Sequence, residues 1–217
     1  MPFQAYTIMK TRFVTLLLSA IALTASAEPK KFVFDSEAWA EGEPPKDVFV
    51  VEGKFSVAPK DGGKALQIEV GELVDANALL GDSANGSASI EARVFGTKAG
   101  RSVPKFAVGV HGQSGYRLVA FVARKELQLV KGDEVIKSVP LTWTSDAWYK
   151  LKLEVKKVEE KKWTITAKGW PAAEAEPKDA SITHEDTTLK GQGKCSIWGT
   201  TFSNTPIFFD DVKVDLE

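Results

Sequence analysis

The clearest pattern along the chain is a strict alternation of apolar and charged positions. Tyr149, Leu151, Leu153 and Val155 fall on one side, and Lys150, Lys152, Glu154 and Lys156 on the other. Successive side chains of a strand point to opposite faces, so this period predicts a half-buried antiparallel strand over 148–155. Residues 89–95 alternate in the same way, with Ile90, Ala92 and Val94 set against Ser89, Glu91 and Arg93. Further strands are predicted at 106–110, 116–123, 126–130, 135–139, 163–167 and 194–200, with a last one in 205–216. In that last stretch strict alternation puts Phe208, Asp210, Val212, Val214 and Leu216 on one face. Four of the five are apolar, so Asp210 is expected on the core side, where a carboxylate needs hydrogen bonds, a cation or a metal. Turn residues punctuate these segments: Gly62-Gly63, Asn85-Gly86, the 112–115 and 191–193 glycine pairs, and Lys131-Gly132-Asp133, which predicts a tight hairpin between Val130 and Val135. Helical periodicity is nearly absent, and no internal repeat is found. Many short strands at this spacing predict an all-β sandwich or barrel. The Ala/Glu/Pro-rich segment 172–179 predicts an exposed excursion.

The N-terminus follows a different pattern. Lys10 and Arg12 precede an apolar run over 13–25, and Ala25-Ser26-Ala27 supplies a small-x-small cleavage site. Residues 1–27 are therefore expected to be a cleaved signal peptide, with Met9 an alternative start, leaving 28–217 as one β-sandwich domain. The apolar run is shorter than the roughly 20 residues that cross a bilayer. No cysteine follows it to carry a lipid, so no membrane anchor is expected after cleavage. The mature chain is then expected to be secreted or periplasmic. With a formal net charge of −1, made more acidic by the loss of Lys10 and Arg12, the chain lacks the basic footprint of a nucleic-acid binder. Cys195 is the single cysteine, which excludes an internal disulfide and a cysteine zinc site and predicts a small core residue. With only two histidines, a histidine-rich metal centre is not expected.

Laid end to end, these pieces resemble the concanavalin A-like lectin/glucanase superfamily. The nearest likeness is to bacterial secreted jelly-roll domains of the laminin-G-like and 3-keto-disaccharide-hydrolase-like kind. The resemblance runs from Phe32 to Val214 through Gly42-Glu43-Pro44-Pro45, Val51-Glu52-Gly53-Lys54-Phe55-Ser56-Val57, Lys64-Ala65-Leu66-Gln67 and Ala78-Leu79-Leu80-Gly81. It continues through Ile90-Glu91-Ala92-Arg93-Val94, Gly115-Tyr116-Arg117-Leu118, the 148–155 strand, Gly191-Gln192-Gly193, Trp198-Gly199 and Phe209-Asp210-Asp211-Val212-Lys213-Val214. It implies a two-sheet antiparallel jelly-roll sandwich. It also implies a first strand lying near the last, and a glycan site on the outer face of one sheet.

The same resemblance supplies candidate residues. Asp210, with Asp35 or Glu37 from the N-terminal strand, is expected to hold a structural calcium, a cation that takes several oxygen ligands. Asp210 accepting backbone N–H bonds is the alternative. Glu91, Arg93, His111 and Arg117 are expected to form a ligand-binding cluster facing away from the core, with ordinary surface ion pairs as the alternative. Trp148, Trp163 and Trp198 are expected in packing roles. Trp39, Trp143 and Trp170, nearer loops, are better candidates for stacking on a sugar ring. Asn85-Gly86-Ser87 reads as a turn rather than a glycosylation site. The paired-carboxylate strand of the related glucanases, a nucleophile elbow, a phosphate loop and a His-Glu-x-x-His motif are all missing from the sequence. The leading expectation is a carbohydrate-binding domain without catalysis, whose partner is a glycan or another extracellular protein. The alternatives are a glycoside hydrolase or lyase of the 3-keto-disaccharide-hydrolase-like kind, and a structural envelope or surface protein.

Overall fold

The computed structural model describes residues 1–2 and 30–217. The expected signal segment therefore lies, apart from its first two residues, outside the described residues. Fifteen strands are described: β1 (Lys30–Phe34), β2 (Val48–Glu52), β3 (Phe55–Lys60), β4 (Gly63–Ile68), β5 (Ala76–Asn85), β6 (Ala88–Gly96), β7 (Lys105–Val110), β8 (Tyr116–Phe121), β9 (Glu126–Lys131), β10 (Glu134–Pro140), β11 (Ala147–Glu159), β12 (Lys162–Pro171), β13 (Ile182–Asp186), β14 (Gln192–Thr200) and β15 (Ile207–Leu216).

They form two antiparallel sheets. The eight-stranded sheet runs β13-β12-β11-β6-β15-β4-β3, with β1 also paired to β15. The seven-stranded sheet runs β10-β9-β8-β7-β14-β5-β2. The chain crosses repeatedly between sheets, at each connection from β4 to β7 among others, so each sheet mixes strands from distant parts of the sequence. The all-β fold expected from the alternation is what forms, and of sandwich and barrel it is the two-sheet antiparallel sandwich that the resemblance implied.

The core is the sum of the inward half of each alternating strand. Ile90, Ala92 and Val94 of β6 and Leu151, Leu153 and Val155 of β11 face Phe106, Val108 and Val110 of β7, Leu118 and Ala120 of β8, and Leu127 and Leu129 of β9. Cys195 is fully buried among them, and burial raises its thiol pKa to about 12, with a smaller push from Asp215. The thiol is thus an inert packing group. The Val130–Val135 hairpin closes through the two-residue loop Gly132-Asp133, with Gly132 at φ 56, a left-handed conformation that suits glycine.

The last strand departs from the expectation. A β-bulge lies between Asp210 and Lys213, and Asp211 sits in the left-handed region at φ 48. The extra residue breaks the period. Ile207 and Phe209 face the core before it, and Val212, Val214 and Leu216 face the core after it. Phe208 and Asp210 therefore lie on the outer face, not on the core side as strict alternation required.

Candidate functional site

The outer face of the seven-stranded sheet carries the best-defined site. The centre of this face is strand β7, whose outward positions are Lys105, Ala107 and Gly109. Gly109 lies opposite Arg117 of β8 and Ser196 of β14, Ala107 opposite Val119 and Trp198, and Lys105 opposite Phe121 and Thr200. Small residues on the middle strand and large ones on both neighbours leave a trough along β7. Across it the Arg117 guanidinium stacks on the Trp198 indole, 4.6 Å from the ring centroid. Gly109 permits that contact. A Cβ there would meet Ser196 Oγ at 2.5 Å, and Arg117 Cγ and Trp198 Nε1 at 3.3 Å. Trp198 is held in place by its Nε1–H, which donates to Ser196 Oγ at 2.8 Å.

Ala107, Val119, Val130 and Trp198 form a small apolar cluster separate from the main core, with Phe121 packed beside it. Around this floor stand polar groups. Lys105 Nζ pairs with Asp75 at 2.6 Å, and the Thr200 hydroxyl donates to the same carboxylate. Burial opposes ionisation of Asp75, but the hydrogen bonds from Lys105 and Thr200 outweigh it and hold the carboxyl below the ordinary value. Gln128 Nε2 donates to Glu126 at 2.5 Å. Arg117 donates to the Gly132 carbonyl, and its nearest carboxylate is Asp133 at 3.6 Å. Together these residues line a cleft of about 150 Å³. That is smaller than the roughly 300–1,000 Å³ of pockets that engulf a drug-sized ligand, so it suits one ring or one end of a longer chain.

The four residues expected to cluster do not converge. Glu91 and Arg93 project from the outer face of the eight-stranded sheet, whereas Arg117 lies on the other sheet. Glu91 is paired with Lys150 at 3.4 Å and Lys152 at 3.7 Å, which is the surface-pair alternative. Arg93 is paired with Asp210 and with Asp211 at 2.8 Å, and lies 4.7 Å from the Trp148 ring centroid. His111 is buried rather than exposed. Its Nε2 bonds the Gly86 carbonyl at 2.8 Å and its ring packs edge-on against Trp163. Only Arg117 lines the cleft. Sharing an outward register position does not bring residues together when they belong to opposite sheets.

Asp210 and Asp35, expected to hold calcium, are instead engaged by groups of the protein itself. The Asp210 carboxylate is neutralised by Arg93, and its second oxygen accepts the Asp211 N–H at 2.8 Å. Asp35 caps a single turn of 3₁₀ helix by accepting the Glu37 N–H at 3.1 Å. Among the described residues no three carboxylate, histidine or cysteine side chains gather as a metal would need. What holds the first and last strands together is the β1–β15 ladder itself, from Lys30 opposite Leu216 to Phe34 opposite Val212.

The tryptophans also sort differently from the expectation. Trp163 is in the core as expected, but Trp148 and Trp198 are on outer faces. Trp170 is buried, and Trp39 and Trp143 pack against the core edge. The residues that the sequence reading missed are Asp75, Lys105, Gln128, Asp133 and Trp198. Their one local signal is the run Lys105, Ala107, Gly109 on the polar side of a strand, a row too small to cover its neighbours.

No protein family matches the sequence, and no curated protein does. Solved structures do match by shape. Carbohydrate-binding module CBM66 from Bacillus subtilis superposes with a TM-score of 0.51 at 17% identity, covering 77% of this chain and 94% of that one. The metal-free carbohydrate recognition domain of Emp46p gives 0.56 at 9% identity, covering 78% and 88%. An alginate lyase, Aly36B in complex with alginate tetrasaccharide, gives 0.54 at 11% identity, covering 88% and 100%. At such identities the likeness concerns the fold alone: the chain has the two-sheet antiparallel sandwich of the concanavalin A-like lectins.

Proposed function

We propose that this protein binds carbohydrate, without catalysis, through the cleft over β7. The observation that carries this reading is the outward-facing apolar floor of Ala107, Val119, Val130 and Trp198, ringed by Asp75, Lys105, Arg117, Gln128 and Asp133. A sugar ring has the matching surface, with C–H faces that pack on apolar groups and hydroxyls that hydrogen-bond at the edge. The envelope-protein alternative calls for no such cleft. The shape neighbours include a carbohydrate-binding module and lectins, which supports the same ligand class. The signal-like N-terminal segment agrees with a secreted or periplasmic protein that meets glycans outside the cytoplasm. A finer kinship with the laminin-G-like or 3-keto-disaccharide-hydrolase-like domains rests on the sequence resemblance.

Binding is favoured over hydrolysis by the state of the carboxylates. A glycosidase needs a protonated carboxyl as general acid beside a second carboxylate. Asp75 is instead held ionised by Lys105 and Thr200, and Asp133 lies fully exposed at a loop. A glycan array combined with a reducing-sugar release assay tests the reading. Binding of at least one glycan, weakened tenfold or more by Arg117→Ala and without release of reducing ends, is expected. Release of reducing ends by the purified protein would overturn the non-catalytic reading, and binding that Arg117→Ala leaves intact would move the site elsewhere.

A further inference from the structure

We infer that the cleft selects an acidic sugar, with Arg117 receiving a ligand carboxylate in place of Asp133. This rests on the carbohydrate-binding reading above and deepens it. Other cations of the sandwich are closely compensated. Lys105 has a carboxylate at 2.6 Å, Arg93 at 2.8 Å and Lys131 at 2.5 Å. Among the described residues no carboxylate is within hydrogen-bonding reach of Arg117: Asp133 stands at 3.6 Å, and Asp75, which feels the Arg117 charge from further off, is bonded to Lys105 and Thr200. Yet the Arg117 side chain is only 15% exposed, and among the described residues its buried Nε–H has no acceptor. Its other contacts are the Gly132 carbonyl and the Trp198 ring, neither of which carries a full negative charge. A guanidinium withdrawn this far from water is costly unless an anion meets it with hydrogen bonds.

Asp133 is poorly built for that role. It stands on the two-residue loop of the β9–β10 hairpin with its side chain fully exposed, so its carboxylate is solvated and free to turn away. A ligand carboxylate arriving along the floor of the cleft would complete the charge-assisted pair that Asp133 leaves half made. The neighbouring cation cannot substitute, because Lys105 is already matched by Asp75. A neutral sugar would offer Arg117 only hydroxyl oxygens, without the charge that makes the pair strong. The structure thus makes Arg117 the specificity-determining residue, and a uronic acid, or another sugar bearing a carboxylate, the ligand class.

The test compares each acidic oligosaccharide with its own methyl ester, which keeps the sugar and removes the charge. Tetramers of galacturonate and of mannuronate, each as free acid and methyl ester, are titrated calorimetrically into the full protein, with cellotetraose as a neutral reference. At least one free acid is expected to bind tenfold or more tightly than its ester. Arg117→Gln is expected to erase that preference. Asp133→Asn, on an exposed loop where folding is not at stake, is expected to strengthen acid binding several-fold by removing the internal competitor. Equal binding of acids and esters overturns the inference, as does an acid preference that survives Arg117→Gln or is weakened by Asp133→Asn. Binding of cellotetraose or other neutral glycans with no acid preference overturns this inference alone and leaves carbohydrate binding standing. Failure of every glycan, neutral or acidic, to bind overturns both.

Discussion

His111 shows how far a single residue can depart from its sequence signal. Its place beside a glycine-rich turn suggested an exposed ligand-binding group. The backbone instead enters the left-handed region at φ 66 and turns the ring inward, where it is 2% exposed. Nε2 must carry the proton to donate to the Gly86 carbonyl, which leaves Nδ1 buried with no partner among the described residues. Burial lowers the pKa of this imidazole, and the Gly86 bond only partly opposes it. The folded state therefore keeps His111 neutral while the unfolded chain protonates it near 6.5. A depressed pKa gives stability that is complete above about pH 6.5 and is lost as pH falls below it. Urea unfolding at pH 7.5 and pH 5.5 should show this loss, and His111→Asn, which tolerates the left-handed backbone, should shrink it. An unchanged pH difference in the variant would show that His111 is not the group responsible. Gly109 is the opposite case, a residue with no signal of its own and a decisive place. Gly109→Ala should cost about 1–3 kcal/mol, typical of forcing extra volume into a packed site, and should weaken glycan binding by pushing Arg117 off Trp198.

Among the elements, β15 decides which face of the eight-stranded sheet carries charge. The bulge at Asp210–Lys213 lets both halves of the strand bury their apolar residues while Asp210 meets Arg93 on the outside. Removing Asp211 would take out the extra residue and restore strict alternation with Ile207, Phe209, Val212, Val214 and Leu216 still on the core face. The deletion is therefore expected to fold. Asp211→Gly keeps the bulge, favours the left-handed conformation and gives up only an exposed ion pair worth about 0–1 kcal/mol. It should melt within a few degrees of the parent. An unfolded deletion variant would show that the bulge does more than absorb the extra residue. The strands from β6 to β12 were legible in the sequence to within a few residues, most clearly β6 and β11, where one face is buried and the other is not. A bulge was not legible, because one added residue changes the facing of a strand without changing its composition.

For the whole molecule, the two sheets are tied at one end by a buried polar cluster. Asp186 of β13, in the eight-stranded sheet, accepts from Tyr116 of β8 at 2.7 Å and Lys131 of β9 at 2.5 Å, both in the seven-stranded sheet, and from the Thr188 N–H and hydroxyl. Burial opposes its ionisation, but the bonds from Lys131, Thr188 and Tyr116 outweigh it and hold the carboxyl far below the ordinary range. The contribution is therefore complete above the ordinary value of 3.8 and drains away as pH falls below it. Breaking a buried pair from one side costs about 3–5 kcal/mol, so Asp186→Ala should lower the denaturation midpoint markedly, and Tyr116→Phe by about 0.5–1.5 kcal/mol. A midpoint unchanged in Asp186→Ala would remove the cluster from the account of stability. Alternation puts Asp186 on the same face as Ile182 and Glu185 on the other, but nothing local shows that Tyr116 and Lys131 of the opposite sheet will meet it there. The sequence by itself determined the fold class, the positions of most strands and the burial of Cys195, because these follow from the local period of apolar side chains. Tertiary structure alone decided that Glu91 and Arg93 lie on the opposite sheet from Arg117, that Arg93 rather than a metal answers Asp210, and that Asp75, Lys105, Arg117, Gln128 and Trp198 share one cleft. Those facts depend on which distant strands become neighbours and on where one strand bulges, and neither leaves a trace in the period of the residues themselves.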